Sequence, residues 1–74
     1  MYVATMNKLG KRLREKRTEA GLSMAGLSSL SGVTAAHIGY IERGERPNPG
    51  WRPLTRIETA LGLAHGALTR GLAA

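Results

Sequence analysis

The sequence predicts an all-α fold, a compact bundle of about five short helices forming one domain over residues 1–74. Three observations carry that expectation. Apolar residues recur at helical spacing, and nowhere does the chain alternate apolar and polar residues as a half-buried strand would. Ser, Thr, Asn or Gly stands before most of the periodic pieces and Gly follows them, the usual punctuation of helix starts and stops. Finally, 74 residues without a single cysteine leave a small hydrophobic core to do all the folding, so a second copy of the chain would help to stabilise it.

The elements follow in order. Residues 1–6 read as a flexible arm. Asn7 is placed to cap a first helix from Lys8 to about Ala20, with Leu9, Leu13 and Ala20 on one face and Gly21 as its stop. Ser23 caps a second, Met24 to about Ser31, which turns Leu27 inward. Gly32 ends it, Val33 lies in the turn, and Thr34 caps a third helix, Ala35 to Arg43, closed by Gly44. The proline-rich and glycine-rich ERPNPGWRP is a loop. Gly50 then opens a fourth helix, Trp51 to Leu61, whose Trp51, Leu54, Ile57 and Leu61 make one apolar stripe, with Trp51 expected in the core or at a dimer seam. Pro53 fits the first turn, where no intrahelical amide bond is lost. A fifth piece from about Ala64 to Arg70 lacks a capping side chain and has two glycines nearby; residues 71–74 read as a frayed tail.

Composition narrows the chemistry. Lys and Arg number 11 against 5 Asp and Glu, a net charge of +6, which favours an anionic partner such as nucleic acid or an anionic membrane surface. A solvated basic face is the plainer alternative. No apolar run approaches the ~18 residues of a membrane span, and the amino-terminal stretch has no signal-peptide layout, so a cytoplasmic location is expected. Without cysteine there is no disulfide or thiolate site, and His37 and His65 lack a ligand spacing, so neither metal nor cofactor is expected. No nucleophile–base pair or phosphate-cradling glycine loop points to an enzyme.

The informative unit runs from about 23 to 43. Two short helices joined by a Gly-Val-Thr turn must cross steeply, with Leu27, Val33, Ile38 and Ile41 meeting beneath the crossing. That is the layout of a helix-turn-helix, whose second helix fits the DNA major groove, about 12 Å wide.

The residues LREKRTEAGLS, Leu27 through SGVT, Ile38, the run YIERG, Asn48-Pro49 and ALGL at Ala60 to Leu63 occur in an order and spacing similar to the lambda-repressor/Cro-type helix-turn-helix family. The similarity covers roughly Leu9 to Gly71. It implies a five-helix bundle that binds double-stranded DNA as a homodimer, one recognition helix per half-site. By the same resemblance, Arg17 and Glu42 match a structural ion pair between the first and third helices, the plainer alternative being two solvated charges. Base reading falls on Ala35, Ala36, His37 and Tyr40.

The two alanines offer only methyls, suited to a thymine methyl. His37 could instead be solvated, and Tyr40 could pack over the rim of the core. Gly39, on the side of Ala35 and Ala36, would permit close approach of the helix backbone to DNA. Phosphate contacts are expected from Ser23 and Met24 at the start of the second helix and Thr34 at the start of the third, where free amides and the helix dipole suit an anion. Met24 stands where the family usually has a glutamine, so only its amide can serve. Arg43 and Arg46 are further phosphate candidates, whereas Arg52 and the first-helix lysines read as solvated.

The expected function is therefore a sequence-specific, double-stranded-DNA-binding transcriptional regulator, most simply a repressor that covers an operator. The alternative is a protein-interaction module on the same fold, antitoxin-like or regulator-binding, with a protein partner meeting the apolar Ala35, Ala36 and Gly39. Salt separates the two, because only binding to phosphates weakens steeply as salt rises.

Overall fold

Short hydrogen bonds between neighbours in the chain set most of the helix ends. The computed structural model describes residues 2–45 and 50–70, with side chains from residue 8 onward. Within them lie α1 (Tyr2–Glu19), α2 (Met24–Ser31), α3 (Ala35–Arg43) and α4 (Trp51–Ala60), and no strand occurs among the described residues. Ser23 Oγ accepts from the Gly26 amide at 3.0 Å and so starts α2; Thr34 Oγ1 accepts from the His37 amide at 3.1 Å and so starts α3. Each satisfies an amide that the first turn would otherwise leave without a partner. Between them Gly32 sits at φ 77°, in the left-handed region, and its amide closes α2 on the Ser28 carbonyl at 2.9 Å. A residue with a Cβ would be strained there, and the sharp bend between the two helices depends on that conformation.

The core gathers one or two aliphatic residues from every element: Leu9 and Leu13 of α1, Leu27 of α2, Val33 of the turn, Ile38 and Ile41 of α3, Ile57 of α4, and Leu68 beyond it. Each fully buried Leu or Ile contributes about 1.5–3 kcal/mol relative to exposure, so the eight core residues among those described are a modest resource. α1 lies against α3, and α2 against both α3 and α4. At Gly10 the approach of α1 to α3 is so close that a Cβ there would fall on the Ile41 and Glu42 carbonyl oxygens.

Four expectations from the sequence need correction. α1 begins at Tyr2, so Asn7 lies inside the helix instead of capping it; no Gly or Pro interrupts residues 2–7, and an interior Asn costs a helix only about 0.7 kcal/mol. Ala20 follows the end of α1 and is exposed. Of the two places expected for Trp51, core or dimer seam, the core is ruled out: it is 68% exposed, because it is the first residue of α4 and that stripe sinks inward only from Leu54 onward.

The fifth helix does not form: 65–70 is a run of turns. Side chains from elsewhere take its backbone groups. The buried Glu58 carboxylate accepts from the Gly66 and Leu68 amides, each at 3.0 Å, and Arg12 Nη1 donates to the carbonyls of Ala67, Leu68 and Arg70 at 3.4, 3.3 and 2.7 Å. Backbone groups bound to side chains in this way have no need of a helical ladder.

Candidate nucleic-acid interface

α3 divides cleanly by angle. Ile38 and Ile41 enter the core, while Ala36, Tyr40 and Arg43 are exposed one turn apart on the opposite side. The flanks are half-buried, with Ala35 on one and His37 on the other.

The outer face is held by one ion pair. Arg17 Nε donates to Glu42 Oε2 at 2.6 Å and Nη2 to Oε1 at 3.1 Å, a two-pronged contact between α1 and α3. Arg17 Nη1 also donates to the Leu22 carbonyl at 2.9 Å, so the same guanidinium binds the α1–α2 connection. The Glu42 side chain is only 3% exposed. A fork matched to both carboxylate oxygens fixes orientation as well as distance. Hydrogen bonding to Glu42 is the main cause of the raised Arg17 pKa, opposed by burial and aided by the carboxylate charge.

Arg43 closes the exposed side. Its Nε lies 3.0 Å from Glu45 Oε2, and its guanidinium carbon is 5.5 Å from the centre of the Tyr40 ring. The hydrogen bond to Glu45 is the first cause of its raised pKa. The same guanidinium lies over Gly39, where an added Cβ would come within 2.9 Å of Nη1. Gly39 is therefore buried, under a side chain that is itself solvent-facing and able to move.

The remaining expected contacts fall in three places. The Ser23 and Thr34 hydroxyls are engaged as helix caps at the starts of α2 and α3. Met24 is half-buried and packs its side chain on the core, leaving its amide as the group that could meet a phosphate. Arg46 lies outside the described residues, as does the 71–74 tail. His37 differs from Ala36 and Tyr40 in facing α4: it borders a cleft with Arg52 and Arg56 on the far wall, and its Nε2 is buried without a hydrogen-bond partner among the described residues. Sequence reading missed this cleft, although the spacing of Arg52 and Arg56, four residues apart, marks a basic side of α4. The buried Glu58 and the Arg12 tie to the carboxyl-terminal turns were missed as well.

Two adjacent short helices, a left-handed glycine between them and a second helix with an exposed outer face define a helix-turn-helix. The sequence matches the helix-turn-helix domain family over residues 8–72, and the chain belongs to that DNA-binding family. Among solved structures it is similar to the restriction-modification controller protein C.AhdI from Aeromonas hydrophila, with 40% identity and a TM-score of 0.82 over 88% of this chain and 97% of that one. A search of curated proteins finds no match. The class is that of Cro/C1-type transcription regulators. No described helix is long and apolar enough to cross a membrane.

Proposed function

We propose that this chain is a sequence-specific transcriptional regulator that acts in the cytoplasm as a homodimer, each copy laying α3 in the major groove of a double-stranded operator. The observation that carries the reading is the outer face of α3, with Ala36, Tyr40 and Arg43 aligned on it and the helix anchored from behind by Arg17 and Glu42. Ala36 and Tyr40, with Ala35 at the edge, read bases; methyls meet thymine methyls, and the phenol meets a base edge or phosphate. The Ser23, Met24 and Thr34 ends, Arg43 and Arg46 take phosphates. Gly39 allows the backbone to come close once Arg43 has turned from it to a phosphate. The 40% identity to a protein described as a restriction-modification controller supports a regulator of that kind, and repression by covering a promoter is the simplest mode for a domain of this size. Exposed Trp51 and Leu30 offer apolar surface for the dimer contact.

Selection of bound duplexes from a random library at moderate salt tests the proposal. Enrichment of an inverted repeat is the expected result. Enrichment of no motif would remove sequence-specific regulation, and salt-insensitive capture of a protein would favour the interaction-module alternative.

A further inference from the structure

We infer that Glu45 stands in for a DNA phosphate: in the free protein its carboxylate holds Arg43 across the outer face of α3, and DNA must displace it. Glu45 then sets DNA affinity by acting through Arg43, as a positioning residue for the proposed interface.

The main chain puts Glu45 in place. Gly44 leaves α3 in the left-handed region at φ 70°. Its amide donates to the Ile41 carbonyl at 3.1 Å, and the Glu45 amide donates to the Tyr40 carbonyl at 2.9 Å. Together these bonds form the double closure that folds a chain back over the end of its helix. Glu45 therefore starts from a fixed backbone position, in a region where the helix dipole favours a cation such as Arg43 and disfavours an acid. Beside a polyanion the acid is doubly out of place. Glu42, the other acid at this end of α3, is enclosed and held by Arg17. Glu45, with about half its side chain exposed, is thus the accessible carboxylate there among the described residues.

Its contact with Arg43 gives that acid a use. Glu45 Oε2 lies 3.0 Å from Arg43 Nε. The guanidinium so held extends back along α3, with its carbon 5.5 Å from the centre of the Tyr40 ring and Nη1 2.9 Å from the position of a Cβ on Gly39. Gly39 and Tyr40 belong to the surface proposed above to approach DNA, and the inference rests on that reading. Carboxylate and phosphate both present anionic oxygens to a guanidinium, and the Arg43 Nε–H points at one acceptor at a time. A move to phosphate breaks the contact with Glu45 and uncovers Gly39. Both side chains are about half exposed, so the exchange needs no change in the core. An exposed ion pair is also weak enough to yield to a ligand.

The test uses the whole chain as parent, Glu45→Gln, Arg43→Gln and the double variant. Glu15→Gln, which removes an equal charge from an exposed position on α1, is the control, and thermal melting checks the folding of each. Affinity for a random-sequence duplex is measured by fluorescence anisotropy. Without DNA, the NMR signals of the Arg43 Nε–H and the Tyr40 ring are followed. Glu45→Gln should bind duplex about two- to fivefold more tightly than the parent, the range that loss of an exposed ion pair allows. Glu15→Gln should gain less. In the Arg43→Gln background, Glu45→Gln should gain no more than the control does. The Arg43 and Tyr40 signals should move in Glu45→Gln and stay in place in Glu15→Gln.

An equal gain in the absence of Arg43 would show that Glu45 repels DNA by its charge alone, and no gain beyond the control would show that it does not compete with phosphate. Either result overturns the inference, as do unmoved Arg43 and Tyr40 signals. The two proposals fail separately: tighter binding through Arg43 without motif enrichment sinks only sequence-specific regulation, and motif enrichment without that coupling sinks only the role of Glu45.

Discussion

Gly10 on α1 meets Glu42 on α3 backbone to backbone: a Cβ on Gly10 would lie within 2.8 Å of the Glu42 carbonyl carbon. The obstruction is main chain, which cannot rotate aside as a side chain can. Gly10→Ala should therefore destabilise the domain despite the better helix propensity of alanine, by about 1–3 kcal/mol as overpacking usually does. A lower denaturant midpoint with unchanged cooperativity checks it; an unchanged or higher midpoint would mean that the two helices separate at little cost.

Gly39 predicts the opposite sign. The atom nearest an added Cβ there is Nη1 at the far end of the Arg43 side chain, so Gly39→Ala should move Arg43 and gain up to about 1 kcal/mol of helix stability. Operator affinity should fall at the same time. A variant that melts higher and binds as tightly as the parent would show that DNA does not approach this backbone.

Arg17→Ala leaves the Glu42 carboxylate enclosed without its partner. Loss of one member of a buried pair costs about 3–5 kcal/mol, enough to leave a domain of this size only partly folded. Arg17→Lys should recover part of this, because it restores the charge but not the fork that reaches both carboxylate oxygens. Chemical denaturation of the two variants side by side provides the comparison, and equal stability of Ala and Lys would show that the fork adds nothing.

Glu58→Ala should loosen the carboxyl-terminal turns before it unfolds the rest. The Gly66 and Leu68 amides lose their acceptors, at about 1–3 kcal/mol for each donor left buried and unpaired. Amide hydrogen exchange should quicken first at Leu68, ahead of α2 and α3. Uniform acceleration across the domain would instead make these turns part of one cooperative unit with the core.

Tyr40→Ala should weaken binding to a selected operator more than binding to random duplex, since base contacts discriminate and phosphate contacts do not. A base-edge contact of this kind is worth about 1–3 kcal/mol of discrimination. Equal loss on both duplexes would reassign Tyr40 to a phosphate, or to its cation–π contact with Arg43.

The parts of the fold that the sequence makes plain are those fixed by neighbours. Ser23, Gly32, Thr34 and Gly44 act within a few residues of themselves, and they mark α2 and α3 where the structure has them. Leu27, Val33, Ile38 and Ile41 follow from the same local spacing. What resisted reading depends on distance. The carboxyl-terminal turns replace a helix because Arg12, more than fifty positions away along the chain, supplies their donors, and Glu58 looks like any surface acid until Leu68 folds over to meet it. At the candidate interface, the outward side of α3 is a matter of helical angle alone. The His37 cleft requires α4 to be docked, and the Arg43 cover over Gly39 requires rotamers; neither is encoded in a spacing.

Leu68 is fully buried in the same cluster as residues of all four helices, yet it follows α4 by several residues. On a ribosome, the caps of α2 and α3 leave the exit tunnel well before the side chain that closes the core beneath them. Contacts this distant along the chain repay their loop entropy only when both ends are available. The segment that meets DNA in the proposed function is thus complete early in synthesis but acquires its rigid support late, and a nascent chain halted before Leu68 would hold the right helices over an unfilled core.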